Sequence, residues 1–331
     1  MNEARDMQPP PRNVIFTCFV GRRKNLEILF QYVAKLRSTG MIDSVHLWDF
    51  IRDPDDKDWI YTNAGTRGFE IKKPDSSNYK EYYSHYTSAR YPNSVVIKSD
   101  DDIVFVDVGA FAGFLAHRLE NAEPLLLFPS IVNNGVCAYR QQSCGVLPAA
   151  DAYGGVSFED DHGFGSLWAS GEKAQTMHAY FLDHYDEWIA KSKACGVVRL
   201  PVGQRVSINF FAVLSEDLDD AYGRVTNDDE YQLTVSIPNE LGRRNEIYMG
   251  MTVSHLSFFK QRDTGMDEAL VLERYRAHIP RALAVDDVRE HFFSGVDDDV
   301  TRWNTRNNLL SLLVLGSIVA VVSALVISRR R

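Results

Sequence analysis

Cysteine is scarce in this chain: four thiols among 331 residues, at positions 18, 137, 144 and 195, with no CxxC pair. A chain of this length needs no cross-links to hold a core. Cys137 and Cys144 could close a small loop in an oxidising compartment, but the simpler reading is four reduced, mostly buried thiols. The polar stretch before position 13, with Pro9, Pro10 and Pro11, lacks the apolar run of a secretory leader. No Asn-x-Ser/Thr acceptor occurs, and both absences favour a cytosolic main domain. Basic residues are outnumbered by acidic ones, 36 to 45, for a net charge of −9. Such a chain repels a polyphosphate backbone, so nucleic acid is not an expected partner.

Familiar catalytic signatures are missing as well. There is no GxxxxGK(S/T) loop, no HExxH or cysteine-rich zinc spacing, and no GxSxG elbow. Gly154 and Gly155 are too little for a dinucleotide fingerprint. No internal repeat or low-complexity tract appears. With 45% hydrophobic and 11% aromatic residues, disordered, collagen-like and rod-like chains are excluded.

The mean hydropathy of −0.25 suggests a soluble protein but conceals one segment. Residues 309–327 (LLSLLVLGSIVAVVSALVI) carry no charge and no proline. At ~1.5 Å per residue they span about 28 Å, close to the hydrocarbon core of a bilayer. Trp303 and Arg306 precede them and Arg329, Arg330 and Arg331 follow, as interface anchors do. The expectation is a single-pass C-terminal anchor. The three terminal arginines prefer the cytosolic side, whereas insertion after synthesis leaves the large domain in the cytosol. The second argument is given more weight.

The remaining chain predicts an α/β domain. Residues 13–20 (NVIFTCFV) read as a buried strand, 25–36 as an amphipathic helix, and 44–51 as a second strand, which makes a parallel crossover. Residues 53–77 look turn-rich, and 79–90 and 109–120 look helical. Strands are expected at 94–98, 103–108 and 125–128, and from apolar runs at 206–214 and 248–259. A long helix is expected over 171–193, and another over 267–278, ended by Pro280. The expected organisation is a flexible 1–12, one domain over 13–280, a polar neck at 281–308, the span at 309–327 and a basic tail at 328–331.

The sharpest chemical feature is Lys98-Ser99-Asp100-Asp101-Asp102-Ile103. Three adjacent carboxylates repel one another, so gathering them calls for a cation. They stand at a strand end, where open α/β sheets bind ligands. Asp100 and Asp102 share a side in extended backbone. Their hard oxygens suit Mg²⁺ or Mn²⁺, with ligand phosphates completing the shell. A solvated acidic turn would not need apolar strands on both sides.

VVIKSDDDIVFVD resembles the Asp-x-Asp strand end of GT-A-fold, nucleotide-sugar-dependent glycosyltransferases. The resemblance implies a Rossmann-like, mostly parallel sheet flanked by helices. It implies that Asp100 and Asp102 bind a metal bridging the diphosphate of a sugar donor, with Asp101 assisting through ribose or sugar contacts. A late histidine often adds a ligand in this fold, and His255 is the candidate. By position Thr17, Phe19, Gly21 and Arg22 would line the nucleotide pocket, with Arg23 and Lys24 adding positive charge and Lys98 beside them. Asp49 could accept from base or ribose. The catalytic base is sought among Glu159-Asp160-Asp161, Glu216-Asp217 and Asp228-Asp229-Glu230. The third group is preferred, with Asp229 and Glu230 named.

The function so implied is a metal-dependent glycosyltransferase, moving a sugar from a nucleoside-diphosphate donor to a glycan or lipid-linked acceptor near a membrane. The competing readings are a non-catalytic tail-anchored binding module on the same fold and a metal-dependent phosphoesterase.

Overall fold

The β-branched run at the start of the domain forms β1 (Asn13–Val20), buried along most of its length in the middle of a nine-stranded sheet. The computed structural model describes residues 12–74, 81–148, 165–221 and 228–284. The other strands are β2 (Ser44–Asp49), β3 (Glu70–Lys72), β4 (Ser94–Ser99), β5 (Ile103–Val106), β6 (Leu127–Val132), β7 (Val197–Arg199), β8 (Phe210–Leu214) and β9 (Glu246–His255). The helices are α1 (Arg23–Ser38), α2 (Pro54–Arg67), α3 (Glu81–His85), α4 (Phe111–Glu120), α5 (Gly135–Ser143) and α6 (Gly171–Asp183). They continue with α7 (Tyr185–Ala194), α8 (Ser215–Ala221), α9 (Asp229–Tyr231), α10 (Ile237–Leu241), α11 (Phe259–Asp263) and α12 (Glu268–Leu283).

The sheet runs β3-β2-β1-β4-β8-β6-β9-β5, with β7 beside β9. The expected βαβ crossover is present: β1 pairs parallel with both β2 and β4, and β2 with β3. The rest of the sheet is mixed, which corrects the expectation of a mostly parallel one. β8 pairs antiparallel with β4 and β6, and β9 antiparallel with β5 and β7 but parallel with β6. Asp100, Asp101 and Asp102 carry the chain out of β4 and into β5, which joins the far edge beside β9 rather than returning along β4. The sequence therefore bends across the end of the sheet at its most charged point.

Several local expectations change. Residues 53–77 are not mainly turn: Asp53 caps α2 by accepting from the N–H of Asp55 at 2.8 Å, Pro54 opens the helix, and Gly68 closes it at φ 64°. This is the usual chemistry of a helix start and stop, and a low apolar content hid it. Of the helix expected over 79–90, residues 79 and 80 lie outside the described residues, and within 81–90 the helix is α3, which stops at His85. The one expected over 171–193 breaks at His184, whose φ of −117° and ψ of 30° are not helical. The break lets Trp188 bury fully and donate to Thr252 Oγ1 at 3.3 Å. Pro280 does not end α12, which runs on to Leu283. A proline removes one N–H, and three further residues can follow when the packed face, here Ile279 and Ala282, is held by the core.

Cys144 and Cys195 form a disulfide, which corrects the expectation of four free thiols and the alternative pairing of Cys137 with Cys144. Cys18 and Cys137 are free and buried. The bridge joins the end of α5 to the end of α7. Among the described residues no helix is long and apolar enough to cross a membrane. Residues 1–11, the neck from 285 onward, the apolar segment at 309–327 and the tail lie outside those residues, while the first residues of the expected neck continue α12 to Leu283.

Candidate functional site

The site is built at the end of β4. Lys98, the last but one residue of the strand, is 2% exposed, and its ammonium pairs with Asp100 and donates to the Ile208 carbonyl. The Asp100 carboxylate also accepts from Asn209 Nδ2 at 3.4 Å, and its backbone N–H donates to the Asn209 carbonyl at 2.9 Å. Asn209 in turn lies 3.4 Å from Asn134 Nδ2, and Asn134 caps α5 through the N–H of Cys137. A line of amides thus ties the first acid to β8 and to the start of α5.

The second acid turns the other way. Asp101 accepts the backbone N–H of Gly21 through Oδ2 at 3.0 Å, and Arg22 Nε through Oδ1 at 3.0 Å. Burial pushes its carboxyl up to about 6 against the pull of Arg22. Both oxygens serve the turn after β1, so Asp101 holds Arg22 in place.

The third acid is the most distinctive. Asp102 Oδ2 accepts from Arg22 at 2.9 Å and stands 3.5 Å from His255 Nε2, while the Asp102 carbonyl accepts the N–H of Leu256 at 2.8 Å. Burial acts to raise the Asp102 carboxyl, but His255 and Arg22 outweigh it and hold it well below the usual carboxylate range. Asp102 Oδ1 and His255 Nδ1 are both buried with no partner. His255 arrives here because β9 ends opposite Ile103. Its ring lies 4.4 Å from that of Phe258.

With the imidazole counted as neutral, the three carboxylates outweigh Arg22 and Lys98 by one negative charge. That excess, an unpartnered buried carboxylate oxygen and an unpartnered imidazole nitrogen suit a hard or borderline divalent cation. Asp100, however, is engaged with Lys98. Among the described residues no three His, Cys, Asp or Glu side chains gather closely enough to hold an ion. Asp102 and His255 adjoin; Asp100 is engaged by Lys98 and Asn209 and lies within electrostatic range of both.

The other expected pocket residues divide. Thr17 is fully buried and accepts from the Tyr86 hydroxyl at 2.9 Å, so it faces packed protein and not a ligand. Phe19 is half-covered by Phe50 and Tyr82, at 5.1 and 4.6 Å between ring centroids. Asp49 is engaged by Tyr61 at 2.7 Å and Lys57 at 3.0 Å. Arg23 pairs with Glu27 and Lys24 with Glu268, both away from the acids. Only Gly21 and Arg22 of the first-strand group reach the cluster.

Of the three candidate base groups, Glu159, Asp160 and Asp161 lie outside the described residues. Glu216 pairs with Arg12 and Asp217 with Arg243, so that group holds the fold together. Asp229 accepts the Tyr83 hydroxyl through Oδ2 at 2.7 Å and the N–H of Glu230 through Oδ1 at 3.0 Å. Burial pushes the Glu230 carboxyl up, opposed by Arg205, whose Nε lies 2.8 Å away. Burial raises the Tyr83 phenol well above its ordinary value, with Asp229 and more weakly Asp100 adding to it. One phenol is therefore within electrostatic range of both Asp229 and the acidic crossover. Sequence reasoning missed Tyr83, Arg205, Asn134 and Asn209. Asn209 alone had a visible signal, a lone amide inside the apolar run VSINFFAVL.

The packed layer beside Thr17 gives a stability prediction. His46 is 3% exposed and shares the Tyr86 hydroxyl with Trp48 at 3.1 and 3.0 Å. Burial, with Lys72 nearby, lowers it to about 4. An unfolded histidine titrates near ~6.5. Below that value the unfolded chain binds a proton that the folded chain refuses, so stability is full above pH ~6.5 and falls as the pH drops towards 4. Between pH 7 and 5 the wild type should lose about 2 kcal/mol more unfolding free energy than His46→Gln. Equal losses in urea titrations at the two pH values would refute this.

Neither a family model nor a curated protein matches the chain. Solved structures do. CMP:2-keto-3-deoxy-manno-octonic acid synthetase complexed with CTP matches at 10% identity and a TM-score of 0.42, over 82% of this chain and 99% of that one. Glucosyl-3-phosphoglycerate synthase from Mycobacterium tuberculosis, in complex with Mn²⁺, UDP and phosphoglyceric acid, matches at 13% and 0.42, over 83% and 79%. 4-Diphosphocytidyl-2C-methyl-D-erythritol synthase from Anaerococcus prevotii matches at 10% and 0.39, over 80% and 99%. At this level the likeness is slight and carries no argument about activity, which rests on the site itself.

Proposed function

We propose that the Asp100–Asp102 crossover receives the diphosphate of a nucleoside-diphosphate sugar, and that the domain transfers the sugar to an acceptor hydroxyl. The observation that carries this reading is Asp102: a buried carboxylate with one free oxygen, beside an imidazole and an arginine. Asp102 and His255 would hold Mn²⁺ or Mg²⁺, with Asp100 joining on release from Lys98. Held there, the ion would supply Lewis-acid neutralisation of the charge on the leaving diphosphate. Arg22, fixed by Asp101, is placed to orient the phosphates through its fork of donors. Asp229 takes the acceptor proton as the hydroxyl oxygen bonds to the anomeric carbon. The bond from that carbon to the diphosphate breaks, and its electron pair leaves on the phosphate oxygen. The anchor at 309–327 would place this chemistry at a membrane surface, on a glycan or lipid-linked acceptor.

The test is thermal denaturation of the full chain in detergent with UDP or GDP, with and without Mn²⁺. A melting temperature raised by nucleotide and metal together, beyond either alone, is the expected result. Nucleotide-independent metal binding would favour a phosphoesterase, and no response to any combination would leave a binding module. Arg22→Ala should weaken the nucleotide response but strengthen binding of Mn²⁺ alone, because the guanidinium competes for Asp102.

A further inference from the structure

We propose that Tyr83 is a positioning residue for the proton-accepting carboxylate of Asp229, a step that rests on the transferase reading above. The two residues are 146 positions apart and meet at a single hydrogen bond of 2.7 Å, between α3 and the start of α9. Tyr83 is 1% exposed, and its hydroxyl is the donor. A buried phenol held in its neutral form always offers a proton to a carboxylate and never competes for one.

The geometry fixes the carboxylate from both ends. Oδ1 receives the N–H of Glu230 at 3.0 Å and Oδ2 the phenol, so rotation about the last side-chain bond is blocked. The Tyr83 ring is itself locked edge-on against Tyr82, at 4.9 Å, and Tyr82 packs on Phe19 at the end of β1. The carboxylate is thus referenced to the strand that carries Gly21 and Arg22. The charged neighbours are already paired with each other: Asp228 and Glu230 both engage Arg205, and Asp228 also caps Tyr231. They leave Asp229 as the one acid of its group outside the arginine's bonds, held instead by a neutral donor.

A base must be held within hydrogen-bond reach of the hydroxyl it deprotonates, and small misplacements lower turnover sharply. A tyrosine that only stapled α3 to α9 would affect stability and nothing else. The experiment compares wild type, Tyr83→Phe and Asp229→Asn as full chains in detergent, assaying hydrolysis of a panel of UDP- and GDP-linked hexoses with Mn²⁺. Tyr83→Phe keeps the packed ring, and should lower kcat about tenfold with the donor KM unchanged. Asp229→Asn should be inactive. An inactive Asp229→Asn together with a wild-type kcat in Tyr83→Phe overturns the positioning role alone. Full turnover in Asp229→Asn overturns the base assignment, and a wild type that turns over no sugar nucleotide overturns the transferase reading with it.

Discussion

Replacing Asp102 with asparagine should lower sugar-nucleotide turnover at least about a thousandfold and abolish the joint response to nucleotide and Mn²⁺. A thousandfold corresponds to roughly 4 kcal/mol of lost transition-state stabilisation. That is the scale expected when a group facing developing charge in a buried site is removed. Asparagine keeps the volume and can still accept from Arg22, so the turn after β1 should survive and circular dichroism should be unchanged. What disappears is the negative charge and the free oxygen, Oδ1. The informative control is Glu216→Gln. Glu216 belongs to an acidic pair that the sequence also offers as a base, yet its carboxylate pairs with Arg12 at 2.8 Å and is half-exposed. That variant should keep wild-type turnover. A functional Asp102→Asn, or an inactive Glu216→Gln, would mean that the chemistry lies elsewhere.

The contrast between those two acids shows what the sequence could and could not reveal. The crossover was legible because two apolar runs flank three carboxylates, and only a strand end with a charge to balance explains that pattern. The resemblance likewise put Thr17 and Phe19, by their position on β1, on the face of a nucleotide pocket. It could not say what covers that face. The tyrosines in and just after α3 do: Tyr86 bonds Thr17 and Tyr82 packs on Phe19, so the face opens only beyond the strand, at Gly21 and Arg22. A short helix of five residues has almost no periodic signal, and its role comes entirely from contacts far along the chain.

The same holds for the sheet. Parallel pairing of β1 with β2 and β4 follows from short-range order, strand then helix then strand. The exit of β5 to the far edge depends on pairing Ile103 with His255, 152 residues later, and no local pattern encodes it. That pairing nevertheless decides the site, because it brings the imidazole to Asp102. His255 was found by resemblance, and its neighbours Asn209 and Tyr83 were not found, since an amide and a phenol mean little until their partners are known.

Reducing the Cys144–Cys195 bridge should cost about 4 kcal/mol of stability, the chain-entropy value for a loop of this size. The bridge closes a separation of 51 residues and ties the end of α5 to the end of α7. Both ends bear on the site indirectly: α5 starts at Asn134, which steadies Asn209 and through it Asp100, and α7 packs on β9, which ends at His255. The double variant Cys144→Ser/Cys195→Ser should therefore melt well below the wild type, and dithiothreitol should lower the wild type alone. Matching melting curves would sink the estimate. The bridge also bears on the expected cytosolic placement, which rested chiefly on insertion of the C-terminal span after synthesis, with the absent leader and glycosylation acceptor in support. Disulfides persist in oxidising compartments and are rare in the cytosol. With the domain on the oxidising side, Arg329, Arg330 and Arg331 would face the cytosol, the side their charge prefers. Alkylation of the protein in its native membrane, before and after reduction, separates the two placements. Two thiols blocked only after reduction, beyond the buried Cys18 and Cys137, is the result expected of the oxidised placement. Four thiols blocked on denaturation alone would return the domain to the cytosol.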